Sequence, residues 1–460
     1  MTAAVPEAAR RELRRLAARV QRTARVPALA VAVHRADRPL WTAEIGGTDA
    51  PLDEGTQFRI GSVTKAFTAV LVLQCRDEGL LDLDDPISAH LPVPAHGSVT
   101  ARQLLAHTSG LQREPAGDIW YGAAGGPGVP ELLERLAAAE RVLPPQRRYH
   151  YSNLGLAVLG QVVGRLRGAT WADVLVERLL TPLGLGSTTV LPRPGAATGY
   201  LVDAYSDHAR PEPAADFRAV GPACQLWSTA GDLARWAAFL ADPATVDPEG
   251  KVLAATTLAE MRTPRAVVDE GDWRLAMGLG LMVAPRPGRV ADIGHYGAMP
   301  GFMAGSFGRY GGDTPPGLGA AVLASSGTAL PALDLVHDLL TASVELDPAD
   351  AAPWRPGQPV PPAYRSALGR WWGEGHGFDF HWRAGHLEAR AATAAADTPP
   401  AVFGPVDGAA DTLRVVAGRE LGELLTLARA GDGTVTGLTW AGYRFSRSQQ
   451  TFDGQPPSHA

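Results

Sequence analysis

Apolar positions along the chain change their period several times, and each change marks an element. Within residues 1–25, Leu13, Leu16 and Val20 fall on one face of an Arg-rich helical pattern. Residues 28–34 and 39–45 then read as two strands joined by a turn at 35–38, a hairpin near the start of an antiparallel sheet. Gly61-Ser62 opens the next helix, where Val63, Ala66, Phe67, Val70, Leu71 and Gln74 keep helical spacing up to Gly79. From Leu80 to about Asp242 the pattern stays helical but is interrupted by Pro and Gly. Strand-like runs return at 279–283, 302–307 and 319–324, and 331–345 predicts a closing helix. Strands at both ends thus enclose a helical insertion. The expected fold class is α+β: an antiparallel sheet flanked by helices, with an all-α lobe.

The pattern changes after residue 346. Six prolines between 347 and 366 predict an extended linker. Beyond it, short alternating runs at 378–383, 387–389, 413–416, 424–428, 435–440 and 443–445 are separated by turn signals such as Ala384-Gly385 and Asp432-Gly433. This spacing predicts a small antiparallel β-barrel, with Trp371-Trp372 in its core. The expected organisation is a main domain at 1–346, a linker at 347–362 and the barrel domain at 363–460.

Composition narrows the function. The 460 residues are 45% hydrophobic and 20% charged, those of a soluble globular protein with room for a large core. A formal charge of −6, with Arg interspersed among Asp and Glu, argues against a nucleic-acid partner. Residues 1–25 contain no unbroken apolar run, so neither a signal peptide nor a membrane span is expected, and the reading is a cytoplasmic protein. Cys75 and Cys224 lack metal or redox spacing, and His376, His381 and His386 lack partners at ligand spacing. No metal and no cofactor is expected. Gly-x-Ser-x-Gly, P-loop and His-Glu-x-x-His patterns are all missing.

Lysine usage carries the most chemistry. Lys65 and Lys251 are the only lysines among 42 basic residues, and Lys65 lies three residues after Ser62 in Gly61-Ser62-Val63-Thr64-Lys65. With sixteen serines in the chain, chance alone gives about 0.07 Ser-x-x-Lys matches. Lys can lose its proton when desolvated, whereas Arg cannot. Three positions apart at a helix start, Ser62 and Lys65 share a face, and the helix N-terminus favours both an oxyanion and a lowered lysine pKa. Tyr151-Ser152-Asn153 precedes an apolar helix. Tyr151 suits a general acid or base and Asn153 a hydrogen bond to Lys65 or substrate, though the tripeptide equally suits a capping Ser with a buried Tyr. His295-Tyr296-Gly297-Ala298 reads as a glycine-punctuated strand that a substrate backbone can approach. On its own, a histidine in the place of His295 is more often structural than catalytic.

Ser-x-x-Lys, Tyr-x-Asn and a His-x-Gly strand, in this order, resemble the serine β-lactamase and penicillin-binding-protein superfamily, in particular its class C-type β-lactamases, D-peptidases and esterases. The phrases 104–111 (Leu-Leu-Ala-His-Thr-Ser-Gly-Leu) and 227–233 (Trp-Ser-Thr-Ala-Gly-Asp-Leu) add to the likeness, which covers residues 10–345. The resemblance implies that Ser62 forms an acyl-enzyme, that Lys65 and Tyr151 share the proton transfers, and that the Ser62 and Ala298 amides form an oxyanion hole. It also implies that Asn153 orients substrate and that His295 holds the place of the third-motif lysine, beside Gly297. That lysine is where the chain departs from the β-lactamases, since a neutral histidine binds carboxylates less well. The barrel looks like the lipocalin-like appendage of some D-peptidases and cyclising thioesterases. The resulting expectation is a serine hydrolase for small esters or D-residue amides and peptides, with weak β-lactamase activity at most. Its substrate would be a small-molecule or peptide acyl donor, with no membrane partner. One alternative is a thioesterase or acyltransferase that cyclises or transfers a peptide, including one delivered on a carrier protein. Another is a catalytically inactive ligand-binding protein.

Overall fold

The computed structural model describes residues 4–47, 51–120, 125–350, 353–396 and 398–449. The last residues of the expected barrel domain, 450–460, lie outside them. The chain divides into two compact units, Met1–Asp350 and Ala351–Ala460.

In chain order, the strands of the first unit are β1 (Ala28–His34), β2 (Trp41–Gly46), β3 (Phe58–Arg59), β4 (Gly199–Val202), β5 (Ala209–Glu212), β6 (Trp227–Ser228), β7 (Ala266–Val267), β8 (Ala276–Met277), β9 (Met282–Arg286), β10 (Val290–Met299), β11 (Phe302–Tyr310) and β12 (Gly319–Ala324). Eight of them form one antiparallel sheet in the order β2-β1-β12-β11-β10-β9-β8-β7. Strand β1 shows why both faces are covered. It is apolar nearly throughout, as a strand buried on two sides must be. Leu29, Val31 and Val33 join the core under the Glu7–Thr23 and Pro331–Leu346 helices, while Ala28, Ala30 and Ala32 join the larger core on the opposite face.

The Thr64–Asp77 helix sits in that larger core and is buried from Thr64 to Cys75. A helix apolar on nearly every side belongs at the centre of a domain. Phe67 stacks on Trp236 of the Ala230–Ala241 helix with ring centroids 3.9 Å apart. Beyond lies the all-α lobe, which includes the Ala101–Leu105, Val129–Ala137, Asn153–Arg167 and Trp171–Leu175 helices. Ser152 caps the third of these by accepting from the Gly155 amide at 3.1 Å, and Gly168 ends it at φ 67°. Such a cap contributes about 1 kcal/mol.

Two local expectations are corrected. The pattern over 80–242 reads as helical, yet the β4–β5 hairpin interrupts it. These strands are four residues long, and β5 is largely exposed, so no apolar alternation marks it. The apolar run 279–283 predicts a strand, but Gly280 at φ 73° turns the chain there, leaving β8 and β9 on either side.

The second unit is an antiparallel meander of eight strands: β13 (Gly369–Gly373), β14 (His376–Arg383), β15 (His386–Ala391), β16 (Ala401–Val406), β17 (Ala409–Ala417), β18 (Leu424–Arg429), β19 (Val435–Trp440) and β20 (Tyr443–Phe445). A bridge between Trp372 and Ser446 joins the first strand to the end of the last, with N–H···O distances of 2.8 and 2.9 Å, and closes the barrel. Closure removes the free edges that invite aggregation. Trp371, Phe380, Phe403, Trp440 and Phe445 fill the interior. The alternation of apolar residues marks six of the eight strands. It misses β16 because Gly404 and Pro405 break the run, and the structure accommodates them with register shifts on either side of 403–405. It misses β13 because its flanking glycines and Arg370 hide the strand pattern.

Candidate active site

Ser62 lies on a single 3-10 turn, Gly61–Val63, that runs straight into the Thr64–Asp77 helix. Lys65, one turn on, is wholly buried. Its Nζ donates to Ser62 Oγ at 2.9 Å and to the Ala223 carbonyl at 2.7 Å. Both partners are neutral, and burial pushes the ammonium pKa down to about 7. The helix N-terminus anticipated from the sequence is present; the lowering itself comes chiefly from loss of solvent.

Tyr151 closes over this pair. Lys65 Nζ and the Arg113 guanidinium each lie 4.7 Å from its ring centroid, and His107 stacks on it at 4.5 Å. Burial pushes the phenol well above its ordinary pKa, and the Ser62 hydroxyl pulls it back only in part. Tyr151 is therefore a neutral phenol near pH 7. His107 also receives the Ser152 amide on Nδ1 at 3.0 Å, so the ring that packs on Tyr151 also fixes the turn carrying it.

Asn153 does not hydrogen-bond Lys65, as its sequence position allowed. Its Nδ2 donates to Glu114 Oε1 at 2.6 Å. Asn153 Oδ1 and Glu114 Oε2 are buried with no hydrogen-bond partner among the described residues, and both residues line the cavity over Ser62. Burial raises the Glu114 pKa. Glu114 and His107 are the site residues that sequence reasoning left out. His107 stands inside the Leu-Leu-Ala-His-Thr-Ser-Gly-Leu phrase, which was a usable signal; Glu114 follows that phrase with no spacing that singles it out.

His295, Gly297 and Ala298 arrive on β10. A side chain at Gly297 would put Cβ 1.9 Å from the Ile60 carbonyl oxygen, and one at Gly61, where φ is 52°, would put it 3.0 Å from the Ala298 amide nitrogen. The two glycines let β10 lie against the Ser62 turn, which brings the Ala298 and Ser62 amides to one place. His295 Nδ1 is engaged by the Tyr296 carbonyl, while Nε2 has no partner among the described residues. Burial, with the Lys65 charge adding to it, holds the imidazole down to about 3, so this position carries no charge near neutral pH. Strand β9 pairs with β10 only as far as Gly294, and residues 295–299 line an open cavity of ≈750 Å³ together with Ser62, Tyr151 and Asn153. The structure thus gathers the other six sequence-predicted site residues around Ser62.

The arrangement holds a hydroxyl, a buried amine poised between protonation states, a neutral phenol and two converging amides. Those parts suit acyl transfer through a serine ester. The family described as Beta-lactamase matches residues 13–370. The chain belongs to the β-lactamase family. A Domain of unknown function (DUF7586) matches residues 360–447, the barrel. Among β-lactamase-family relatives, Penicillin-binding protein 4 of Amycolatopsis lactamdurans is 33% identical over 231 residues, 47% of this chain and 59% of that protein. The D-alanyl-D-alanine-carboxypeptidase/endopeptidase AmpH of Escherichia coli K12 is 28% identical over 256 residues, 53% of this chain and 66% of that one. The chain therefore spans 59–66% of the length of these two relatives. The crystal structure of SurE superposes with a TM-score of 0.60 at 26% identity, covering 96% of this chain and 99% of that chain. A D-stereospecific amidohydrolase from Streptomyces sp. shares the fold, with a TM-score of 0.60 at 24% identity over 74% of this chain and 98% of its own. No helix among the described residues is long and apolar enough to cross a membrane.

Proposed function

We propose that this β-lactamase-family protein is a serine hydrolase that forms an acyl-enzyme on Ser62, acting on D-residue-containing amides and peptides and on small esters. The observation that carries the reading is Lys65 Nζ at 2.9 Å from Ser62 Oγ, with burial setting its pKa at about 7. In its neutral form Lys65 takes the Ser62 proton as Oγ attacks the carbonyl. The oxyanion forms facing the Ser62 and Ala298 amides. Collapse expels the amine or alcohol, to which Tyr151, a neutral phenol in contact with Ser62, delivers a proton and is reprotonated from Lys65. Water then attacks the ester by the same route in reverse.

Two features bear on the substrate. Half-buried Glu114, with one buried oxygen unpaired among the described residues, suits the ammonium of an amino-acid or peptide substrate, whose charge would replace the lost solvation. The neutral His295 offers no charge to the carboxylate of a β-lactam, while the cavity arginines Arg113 and Arg210 already face Glu114 and Glu212 at 3.3 and 2.7 Å. SurE, similar along nearly the whole chain, has also been solved with D-Leu, and that supports a D-residue. A second reading keeps the same acyl-enzyme but passes the acyl group to an amine, as a cyclising or transferring enzyme would. The ≈750 Å³ cavity favours it to the extent that it exceeds the needs of a small ester.

Intact-protein mass spectrometry after exposure to activated esters, D-amino acid amides and nitrocefin tests the reading. Expected are a mass increment of one acyl group, lost in Ser62→Ala, and faster turnover of esters than of nitrocefin. Persistence of the increment in Ser62→Ala would refute the nucleophile assignment; preferential nitrocefin turnover would reverse the substrate ranking. An amine acceptor added to the acylated protein separates hydrolysis from transfer.

A further inference from the structure

Strand β10 presents His295 and Gly297 toward Ser62, and its alternate residues point to the opposite face. There lies a buried polar group that the acyl-enzyme chemistry leaves unused. Asp292 is 0% exposed. Arg309, directly opposite on β11, reaches it with Nε at 2.6 Å and Nη2 at 3.0 Å, and Arg286 of β9 adds Nε at 2.8 Å. His337, from the Pro331–Leu346 helix, places Nδ1 2.8 Å from Asp292 Oδ2. Its other nitrogen, Nε2, is 2.6 Å from the hydroxyl of Tyr296, four residues along β10 on the same face as Asp292.

An ionised carboxylate only accepts, so His337 Nδ1 carries a proton and donates to Asp292, while Nε2 shares the second hydrogen bond with the Tyr296 hydroxyl. Hydrogen bonds from His337 and Arg309 hold the Asp292 carboxyl well below its usual range in spite of burial, so the anion persists near neutrality. Apolar residues would fill the same space without desolvating charges. What a directional chain adds is a fixed orientation for its end member. Tyr296 is that member, between His295 and Gly297, and it lines the cavity with Met282 and Leu333. Residues 295–299 also need an anchor. With β9 pairing finished at Gly294, β11 is their one strand partner among the described residues.

We propose that Asp292, His337 and Tyr296 form a positioning relay that holds this one-sided stretch of β10, and with it the Ala298 amide, against Ser62. The proposal rests on the acyl-enzyme reading above. The three are positioning residues and do not touch the reacting atoms.

The test uses the full chain with Tyr296→Phe, His337→Asn and the double variant. Tyr296→Phe keeps the ring and deletes one oxygen, so it is the variant best placed to fold; a thermal melt checks each. Two quantities are measured. Hydrogen exchange of the segment spanning 295–299 should quicken about tenfold in either single variant, as expected when a local anchor is lost. The rate constant for Ser62 acylation by an activated ester, counted per titrated site, should fall about tenfold with KM changed less than about twofold, and the double variant should be no slower than the slower single. Unchanged exchange overturns the relay. So does unchanged acylation alongside a lowered melting point, which would make the group a structural bolt, and so do single effects that multiply in the double. A wild-type chain that never acylates at Ser62 would sink the proposed function instead, and exchange would still decide whether β10 depends on the relay.

Discussion

Lys65 is the residue whose chemistry depends most on its surroundings. Buried against two neutral acceptors, it loses its proton near pH 7, so the base-competent form grows as pH rises. kcat/KM for an activated ester should therefore climb through a limb centred near pH 7; a profile that stays flat from about pH 6 to 8 would remove the amine from the rate-limiting step. Lys65→Arg keeps the charge but cannot release a proton, so acylation should drop on the order of 10²–10⁴, as for Lys65→Ala. An active Arg variant would mean that charge alone suffices. Glu114 makes a separate prediction. Glu114→Gln should raise KM about tenfold for a D-amino acid amide with a free ammonium and leave the N-acylated amide nearly unaffected. Equal changes for both would show that Glu114 organises the site without reading the ammonium. Ser62 and Lys65 were legible because a helix brings residues three apart together whatever lies around them. Glu114 was not, because its pairing with Asn153 joins segments 39 residues apart.

The β10 strand is the element on which the site depends. Its sequence, Val-Ala-Asp-Ile-Gly-His-Tyr-Gly-Ala-Met, breaks the apolar alternation that usually reveals a buried strand. It is nevertheless ten residues long and mostly buried, because the polar side chains on its relay face find partners and its glycines permit close contact. Gly297→Ala tests that contact. The added methyl would sit 1.9 Å from the Ile60 oxygen, so the strand or the Ser62 turn must move. Acylation should fall about 10²-fold, since ångström displacements at a reacting centre cost that much, and the melting point should fall with it. Normal acylation in a folded Gly297→Ala chain would show that the turn tolerates a displaced β10. The barrel strands tell a similar story from the other side: regular alternation marked β14, β18 and β19, while the Gly-Pro step concealed β16.

For the whole molecule, the relevant fact is that the two units have separate cores. Every described residue lining the Ser62 cavity belongs to Met1–Asp350, and the barrel core draws only on residues beyond it. A chain truncated after Asp350 should therefore melt cooperatively and still be labelled at Ser62 by a fluorophosphonate; loss of labelling in a truncated chain shown to be folded would place an essential group in the barrel. The sequence by itself determined the order of the motifs, the helix that sets Lys65 one turn from Ser62, the α+β class and the change to short strands after the proline-rich stretch. These are local, written in spacing and period. Only the tertiary structure decided the protonation state of Lys65, the neutrality of His295, the partner of Asn153, the relay behind β10 and the closure of the barrel by Trp372 and Ser446. Each depends on which distant segment excludes water or supplies a hydrogen bond, as the Ala223 carbonyl does for Lys65 from 158 residues away, and no local period encodes that.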